Sequence, residues 1–253
     1  MSKGIVFITG ASAGFGKETA IKFSAAGYSV ILCARRSEKL EILKMELEGK
    51  GGSALVLTLD VRNKESVFSA IASLPESWKN IDILVNNAGL ASGLAPIDKG
   101  DTDDWDKMID TNVKGLLYLT RAVSPGMIER GGGHIINVGS IAGKEVYPNG
   151  NVYCGTKHAV DAITRATRID LVQYGIRVSG ICPGLAETEF SIVRFKGDKE
   201  KAGMVYKGLK PLSAEDIAET IFWVATRPAH VNILDVVLTP SAQANSTLVI
   251  RKN

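Results

Sequence analysis

The sequence predicts an α/β protein in which a doubly wound parallel sheet carries helices on both faces. Short apolar segments rich in β-branched residues alternate with longer amphipathic segments along most of the 253 residues. Repeated alternation of this kind favours right-handed crossovers and a single parallel sheet. With 45% hydrophobic residues, a chain of this length can bury a large core without a metal or a disulfide. We therefore assign residues 1–253 to one domain.

About seven strands and six helices are predicted in order. The strand segments are nearly continuous apolar runs, which is typical of strands covered on both faces. They are predicted at 5–9, 29–34, 54–59, 81–85, 134–138, 176–181 and 231–238. The helices are predicted in the intervals, at 14–26, 38–48, 64–74, 102–129, 152–174 and 214–225. Ligands of such sheets bind beyond the carboxyl ends of the strands, so the residues that follow each strand are the candidate site.

Composition and charge narrow the classes of partner. The 30 basic and 27 acidic residues give a net charge of +3, which is too balanced for a nucleic-acid-binding surface. No apolar stretch approaches the length of a membrane span, and the N-terminus enters the first strand segment without a signal-peptide pattern. The dispersed cysteines, Cys33, Cys154 and Cys182, indicate reduced thiols. We expect a cytoplasmic protein with neither nucleic acid nor membrane as a partner.

A glycine-rich loop, T-G-A-S-A-G-F-G at 9–16, follows the first strand segment and precedes a helix. Glycines allow a tight turn and close approach of a ligand, while a helix N-terminus offers free N–H groups and a positive dipole. The spacing differs from G-x-G-x-x-G and lacks the ending of a P-loop, so a plain turn is the alternative. The strand–loop–helix context predicts a dinucleotide site at Gly10, Ser12, Gly14, Phe15 and Gly16.

Two arginines, Arg35 and Arg36, follow the second strand segment, about twenty residues after the glycine loop. An acidic residue at this place would bind the 2′-hydroxyl of the adenine ribose, whereas arginine suits a 2′-phosphate. Solvated arginines at the start of a helix, the alternative, are unfavourable for its dipole. The pair therefore predicts NADP in preference to NAD.

Two further strand ends fit the same cofactor. Asp60 and Val61 follow the third strand segment and are candidates to face the adenine. Asn87, Ala88 and Gly89 follow the fourth, where small residues let a cofactor lie against the backbone. Either group alone would more often be an ordinary loop.

Tyr153 and Lys157 lie four residues apart in a predicted helix, so their side chains share a face. An ammonium group beside a phenol favours the phenolate, so we expect the pKa of Tyr153 to fall below its ordinary value of about 10. Such a tyrosine can exchange a proton with a substrate oxygen. Taken alone, the pair is more often a solvent-facing helix surface.

Two polar residues accompany this pair. Ser140 follows the fifth strand segment, thirteen residues before Tyr153, and can donate to a substrate carbonyl oxygen. Asn112 lies inside the predicted helix 102–129, where asparagine is a poor helix former and is expected to bend the helix or hold a water. Local hydrogen bonding is the alternative for each. The three histidines do not form a spaced set, so no metal site is predicted.

Together these motifs resemble the short-chain dehydrogenase/reductase family over essentially the whole chain. The matching elements are the loop at 9–16, Asp60, the segment 86–89, Asn112, Ser140, Tyr153, Lys157, Pro183 and Gly184. The resemblance implies a Rossmann fold, a nicotinamide cofactor that carries the hydride, and an oxidoreductase acting on CH–OH groups.

The resemblance also implies a role for each site residue. Tyr153 is then the general acid/base, Lys157 lowers its pKa and binds the nicotinamide ribose, and Ser140 orients the carbonyl. Asn112 positions a water in a proton relay from Lys157. Pro183, Gly184 and Thr188 are implied along the nicotinamide.

Residues 189–198 and 239–243 are similar to a branch of NADP-dependent 3-hydroxy-acid dehydrogenases, which oxidise serine, 3-hydroxypropionate and related acids. The branch also contains sulfoacetaldehyde reductases. Because an arginine fork binds a carboxylate or sulfonate bidentately, we expect Arg194 to anchor a small anionic substrate. Tyr147 is expected to line the pocket, with Ser140 and Tyr153 at the reacting oxygen. A surface cation in a mobile lid is the alternative for Arg194.

Other functions remain open at this point. A reductase of a bulkier ketone or an acyl-carrier thioester would have an apolar pocket with Arg194 turned away. A nicotinamide-binding sensor without catalysis conflicts with the intact catalytic set. A serine hydrolase is excluded because 138–142 is not G-x-S-x-G. By family analogy we expect a homotetramer, or a dimer, that assembles through helices 102–129 and 152–174. Within the single domain we expect a substrate region near 185–212 and a C-terminal tail near 240–253.

Overall fold

Seven parallel strands form one sheet in the structure, a computed structural model that describes residues 2–252. Met1 and Asn253, the ends of the predicted domain, lie outside these residues. The strands are β1 (Ile5–Thr9), β2 (Ser29–Ala34), β3 (Ser53–Thr58), β4 (Ile81–Asn86), β5 (Gly133–Val138), β6 (Ile176–Pro183) and β7 (Asp235–Leu238). Their order is β3-β2-β1-β4-β5-β6-β7, which reverses between β1 and β4 and so places a ligand crevice at their carboxyl ends. The predicted fold class is confirmed.

Helices pack against both faces of this sheet. They are α1 (Gly14–Ala25), α2 (Ser37–Gly49), α3 (Lys64–Ala72), α4 (Thr102–Ile109), α5 (Leu116–Arg130), α6 (Asn151–Leu171), α7 (Glu189–Arg194), α8 (Lys199–Met204) and α9 (Ala214–Ala225). Among residues 2–252, none of the helices has the length and apolar character needed to cross a bilayer.

The core consists of two apolar layers separated by the sheet. In β1, Val6 and Ile8 contribute to the layer that contains residues of α1, α2 and α9. Phe7, between them in the sequence, contributes to the layer that contains residues of α3 and α5. Successive side chains of a strand point to opposite faces, so a strand covered on both sides must be apolar throughout. This explains why the strand segments are continuous apolar runs.

The predicted helix 102–129 is interrupted in the structure. Residues Asp110–Gly115 form a π-helical segment between α4 and α5, and Asn112 lies within it. The side chain of Asn112 bonds to Leu90 instead of facing solvent, and π segments of this kind are frequent at functional sites. The expected bend at Asn112 therefore takes the form of a widened helical turn.

The predicted strand 231–238 is shorter than expected and begins at Asp235. The carbonyl of Val231 accepts a hydrogen bond from Arg177, and the carbonyl of Ile233 accepts one from Ser179. These side-chain bonds occupy backbone groups that a sheet ladder would need, so ladder pairing with β6 starts only at Asp235. The short helices α7 and α8, within the predicted substrate region, had no signal in the apolar pattern.

Candidate active site

A cleft runs along the carboxyl ends of strands β1 to β6, where the sequence predicts that the ligand binds. Most of the predicted site residues line it: Gly10, Ser12, Gly14, Phe15, Arg35, Arg36, Asp60, Val61, Asn87, Ala88, Gly89, Ser140, Tyr153, Lys157, Pro183, Gly184 and Thr188. Four predicted residues lie outside the lining, namely Gly16, Asn112, Tyr147 and Arg194. Each of these four residues packs against, or is hydrogen-bonded to, residues directly behind or beside the lining of the cleft.

The glycine loop fits a pyrophosphate. Gly10 has a φ of +69°, and a Cβ at Gly16 would lie 2.5 Å from the carbonyl oxygen of Gly10. Larger residues at these positions would push the loop away from the helix. Ala13 caps α1 without a side-chain hydrogen bond, and the first turn has no acidic residue. The first N–H groups and the positive dipole of α1 are therefore left for an anion.

The end of β4 is bonded to this loop. The backbone N–H groups of Asn87 and Ala88 donate to Thr9 Oγ1 at 2.9 and 2.8 Å. The Asn87 side chain donates to the Thr9 carbonyl at 2.8 Å. Asn86, its neighbour in the sequence, points the other way and donates to Asn137 in the core. The two strand ends at the switch point thus form one rigid wall of the cleft.

Charged groups gather at the β2 and β3 end of the cleft. Arg36 donates from Nε and Nη2 to Ser12 Oγ at 3.1 and 3.0 Å, which fixes the plane of its guanidinium group. Asp60 pairs with Arg62 at 2.6 Å, and this hydrogen bond lowers the pKa of the Asp60 carboxyl. The arginines expected to meet a 2′-phosphate therefore lie beside the glycine loop. Asp60 and Val61 form the adjacent wall.

Tyr153 and Lys157 both lie on the buried side of α6 and face the same cleft, with 8% and 7% of their surface exposed. Lys157 Nζ donates to the Val138 carbonyl at 2.9 Å. A Cβ at Gly89 would lie 3.6 Å from Lys157 Nζ, an ordinary van der Waals distance, so the loop after β4 passes close to this ammonium group. Ser140 lies across the cleft and accepts from the Ala142 N–H at 3.1 Å.

The electrostatics of Tyr153 differ from the sequence expectation. Burial raises the pKa of Tyr153 above its ordinary value, and only the Ser140 hydroxyl and the Arg194 charge act against this. Burial also lowers the pKa of Lys157 to about 8. The prediction that Lys157 makes this phenol acidic is therefore wrong for the protein as described, because removal from water favours the neutral form of both groups.

Asn112 lies behind Tyr153 and Lys157, outside the lining of the cleft. Its Oδ1 accepts from the Leu90 N–H at 2.8 Å, and its Nδ2 donates to the Leu90 carbonyl at 2.8 Å. Nδ2 also donates to Thr156 Oγ1 at 3.1 Å on α6. The side-chain amide thus joins the loop after β4 to the helix that carries Tyr153. Its implied role in a water relay stays a prediction.

Arg194, at the end of α7, closes the cleft beside Tyr153. Its guanidinium carbon lies 5.3 Å from the centre of the Tyr153 ring and 5.4 Å from that of Tyr147. Nη2 donates to Tyr147 Oη at 2.5 Å. Arg194 Nε is buried and has no hydrogen-bond partner among residues 2–252. A buried donor without a partner is costly, so the site is suited to an acceptor supplied by a ligand.

Gly150 makes room for the second ring of this arrangement. A Cβ at that position would lie 2.3 Å from the Tyr147 ring. The ring therefore rests on the backbone and presents its hydroxyl to Arg194.

Comparison of the sequence with known proteins identifies the family of this chain. Residues 4–199 match the profile of the short chain dehydrogenases. The chain belongs to the short chain dehydrogenase family. It is 51% identical over 250 residues to the NADP-dependent 3-hydroxy acid dehydrogenase YdfG of Salmonella typhi, covering 98% of this chain and 100% of that protein. It is 46% identical over 246 residues to the sulfoacetaldehyde reductase of Chromohalobacter salexigens, covering 97% of each chain.

A solved structure is also similar to this short chain dehydrogenase. It is the closed form of serine dehydrogenase complexed with NADP+, with a TM-score of 0.93 and 49% identity, and the match covers 98% of this chain and 100% of that one. The fold and the order of the site elements are thus those of an oxidoreductase family.

Sequence reasoning missed the contacts that hold residues 185–212, hereafter the strap, across this dehydrogenase. Lys196 Nζ pairs with Asp104 at 2.9 Å and with Asp101 at 3.1 Å. Gln243 Oε1 accepts from the Leu185 N–H at 2.8 Å, and Glu189 pairs with cations at the far wall. Lys196 and Gln243 are thus tied to other parts of the protein itself. No pattern in the sequence links these distant positions.

Among residues 2–252, no three His, Cys, Asp or Glu side chains are arranged to hold a metal ion. His134 is buried in β5 and bonds to Ser179 Oγ at 2.8 Å. The three cysteines are buried and unpaired in the part of the chain that the structure describes.

Proposed function

We propose that this chain is an NADP(H)-dependent dehydrogenase that transfers a hydride between the nicotinamide and a small acidic alcohol or aldehyde. Serine and the pair 3-hydroxypropionate/malonate semialdehyde are the leading substrates. The observation that carries the proposal is Arg194, a partly buried guanidinium beside Tyr153 whose Nε lacks a partner among the described residues. The names of the similar proteins, which act on 3-hydroxy acids and serine, support it.

The residues of the cleft suit NADP from end to end. The glycine loop and the N-terminus of α1 would hold the pyrophosphate, and Arg35 and Arg36 the 2′-phosphate. Asp60 and Val61 would flank the adenine, and Asn87, Ala88 and Gly89 would support the adjoining ribose. Pro183, Gly184 and Thr188 would lie along the nicotinamide. The bound cofactor supplies or accepts the hydride, which no side chain of the protein can do.

The chain itself supplies the proton. Burial keeps Tyr153 protonated at neutral pH, so its hydroxyl can donate to the oxygen of an aldehyde as that oxygen gains negative charge. Ser140 can donate to the same oxygen from across the cleft. In the oxidative direction Tyr153 must accept the proton, and the positive charge of Arg194, which acts to lower the pKa of this phenol, then stabilises the phenolate.

Arg194 would set the class of substrate. A carboxylate near Tyr153 would be costly to bury alone, and a guanidinium group with an unpaired N–H offsets that cost with a charge-assisted hydrogen bond. Tyr147 orients Arg194 through the bond to its hydroxyl. The two residues would therefore act together, Arg194 as the anion anchor and Tyr147 as the residue that positions it.

A sulfonate is the second candidate anion. It offers acceptor oxygens to the same guanidinium, and the chain is 46% identical to a sulfoacetaldehyde reductase. A bulkier ketone or acyl-carrier thioester is a weaker alternative, because Arg194 packs on the catalytic tyrosine instead of turning away from it.

The test is a panel of substrates with and without Arg194. Serine, 3-hydroxypropionate, sulfoacetaldehyde and a small uncharged alcohol would be assayed with NADP(H), using wild type, Arg194→Lys and Arg194→Ala. We expect Arg194→Ala to lower kcat/KM for the preferred acid about 10- to 100-fold, as for loss of charge-assisted hydrogen bonds. Arg194→Lys should restore only part of the loss, because it lacks the planar fork.

The uncharged alcohol serves as the control for damage to Tyr153, since it needs no anion anchor. An equal loss for charged and uncharged substrates would contradict the anchoring role. Preference for a bulky neutral ketone in the wild type would contradict the proposed substrate class.

We also propose that the dehydrogenase assembles as a homotetramer and acts in the cytoplasm. Leu117, Ile169 and Val172, on and directly after the long helices, are 41%, 74% and 66% exposed, which suits an interface between copies. Buried reduced thiols suit the cytoplasm. Light scattering of the purified protein and cell fractionation test the two statements, and a monomer would contradict the first.

A further inference from the structure

A carboxylate of the strap occupies the end of the cleft where the proposed 2′-phosphate binds. Glu189 Oε2 accepts from Arg36 Nη1 at 2.8 Å, and its Oε1 accepts from Lys39 Nζ at 2.8 Å. Glu189 and Arg36 both line the cofactor cleft. The two cations lower the pKa of the Glu189 carboxyl, so it is ionised at neutral pH. An anion of the protein is therefore bound at this end.

The cations are arranged around this anion as they would be around a phosphate. Arg36 is fixed by its two bonds to Ser12 Oγ, which leaves Nη1 directed at the Glu189 carboxylate. Lys39, in the first turn of α2, donates to the other carboxylate oxygen. A guanidinium and an ammonium group on two oxygens of one anion form the donor set that binds phosphoryl groups. Lys39 was not among the residues that the sequence assigned to the cofactor.

Glu189 also fixes the strap across the cleft. It follows Thr188, which caps α7 through the Phe190 N–H and packs against the glycine loop. A Cβ at Gly14 would lie 3.3 Å from Thr188 Cβ. The ion pairs therefore join the strap to the opposite wall, over the path that the adenosine end of a dinucleotide would take.

We propose that Glu189 competes with the 2′-phosphate of NADP for Arg36 and Lys39, and that Lys39 is a ligand of this phosphate. The inference rests on the proposed use of NADP. NADP binding exchanges a carboxylate for a phosphate on the same two cations. NAD, which lacks the phosphate, leaves the carboxylate in place. Glu189 thus lowers the affinity for NADP but not for NAD.

The exchange is energetically accessible. Arg36, Lys39 and Glu189 are 45%, 46% and 45% exposed, so solvent screens both ion pairs and each is weak. A phosphate group carries close to two negative charges at neutral pH, against one for the carboxylate, and it offers more acceptor oxygens. The phosphate is therefore the stronger ligand, and the carboxylate moderates its binding.

The experiment measures cofactor binding in the absence of substrate. Nicotinamide fluorescence gives the Kd of NADPH and of NADH for wild type, Glu189→Gln and the control Glu187→Gln. Glu187 is exposed in the same strap, forms no ion pair within residues 2–252, and its substitution makes the same change in net charge. We expect Glu189→Gln to tighten NADPH binding about threefold or more, the range for weak exposed pairs. NADH binding by this variant and both cofactors with Glu187→Gln should change less.

Lys39→Gln completes a double-mutant cycle. It should weaken NADPH and not NADH, and the loss should be larger in the Glu189→Gln background, where Lys39 has no carboxylate partner to leave.

Two results would overturn the inference. Weaker NADPH binding by Glu189→Gln would mean that the carboxylate supports the bound cofactor, and equal shifts for NADPH and NADH would mean that it acts only on closure of the strap. Failure of the wild type to bind NADPH while it binds NADH is a different outcome, since it would overturn the proposed cofactor itself.

Discussion

The two sides of the cleft are held in different ways. On the cofactor side, the positions of the glycine loop and the loop after β4 follow from strand register and from backbone N–H groups that donate to the buried Thr9 hydroxyl. On the other side, side chains tie the strap to distant parts of the chain, Glu189 to α2 and Lys196 to the start of α4. They act beside a backbone bond from the Gly93 N–H to the Arg194 carbonyl. One wall is therefore part of the sheet architecture, and the other is fastened onto it.

This difference determines how far each side of the cleft can move. The loops after β1 and β4 cannot move without disturbing the sheet. They therefore suit the cofactor, which is the same molecule in every reaction cycle. Side-chain ion pairs at exposed positions are weak individually and can exchange partners. They suit the region that must admit, select and release substrate.

The largest expected effect comes from the residue at which the two sides meet. Tyr153→Phe removes the hydroxyl that we propose as the proton donor and keeps the ring on which Arg194 packs. We expect kcat to fall about 10²- to 10⁴-fold, the contribution of general acid–base catalysis. NADPH affinity should be unchanged, because the cofactor wall does not depend on this hydroxyl.

Steady-state kinetics and fluorescence titration on one preparation give both numbers. Ser140→Ala is the companion variant, with a smaller loss. If Tyr153→Phe kept wild-type turnover, the proton would have to come from another group and the proposed chemistry would be wrong.

The cofactor side was predictable because its signals are local. The glycine loop, Arg35 and Arg36, and the residues after β3 and β4 each follow a strand directly, and parallel strands bring their carboxyl ends to one edge. The strap was not predictable in the same way. Glu189 meets partners about 150 residues away, and Lys196 meets Asp101 and Asp104 about 95 residues away, with no periodic pattern to connect them.

The pKa of Tyr153 shows a second limit of sequence reasoning. The i, i+4 spacing correctly placed Tyr153 and Lys157 on the side of α6 that faces the cleft, but spacing carries no information about burial. In the structure burial dominates: it raises the pKa of Tyr153 and lowers that of Lys157, and so favours the uncharged form of both groups. A helix wheel locates partners, whereas the tertiary packing decides their charge.

The next prediction concerns the close packing of the glycine loop on the cofactor side. Gly16→Ala places a Cβ 2.5 Å from the Gly10 carbonyl oxygen and 2.6 Å from Asn87 Nδ2, so the loop must shift away from α1. We expect the Kd of NADPH to rise about 10- to 100-fold, which corresponds to overpacking of ~1–3 kcal/mol. The control is Gly49→Ala, where a Cβ meets nothing within 4 Å. Unchanged NADPH affinity in Gly16→Ala would contradict the rigid wall.

A third prediction concerns the sheet beneath that wall. Burial and the nearby Arg177 lower the pKa of His134 from 6.5 to about 3. Below pH 6.5 the unfolded chain therefore binds a proton that the folded chain excludes, so the free energy of unfolding falls as the pH falls toward 3. The expected slope from this residue is ~1.4 kcal/mol per pH unit.

Urea unfolding of wild type and His134→Gln between pH 7 and 4.5 measures that slope. The substitution should flatten the pH dependence, and the exposed His158→Gln, used as the control, should leave it as in the wild type. Parallel profiles for wild type and His134→Gln would show that the histidine does not couple the sheet to pH.

The smallest expected effect tests the strap. Unlike Gly16→Ala, which should weaken NADPH binding, this substitution should change only the KM for the substrate. Lys196→Met removes the ammonium group that pairs with Asp101 and Asp104 and that holds the chain next to Arg194. We expect KM for the preferred acid to rise about three- to fivefold, since the pairs are exposed at the lysine and only position the anchor. The Kd of NADPH and kcat should stay near their wild-type values, because neither the backbone wall nor Tyr153 is altered. Lys199→Met, an exposed lysine of the same strap with no ion pair among residues 2–252, is the matched control. A loss of NADPH affinity as large as the rise in KM would mean that the strap and the cofactor wall form one unit.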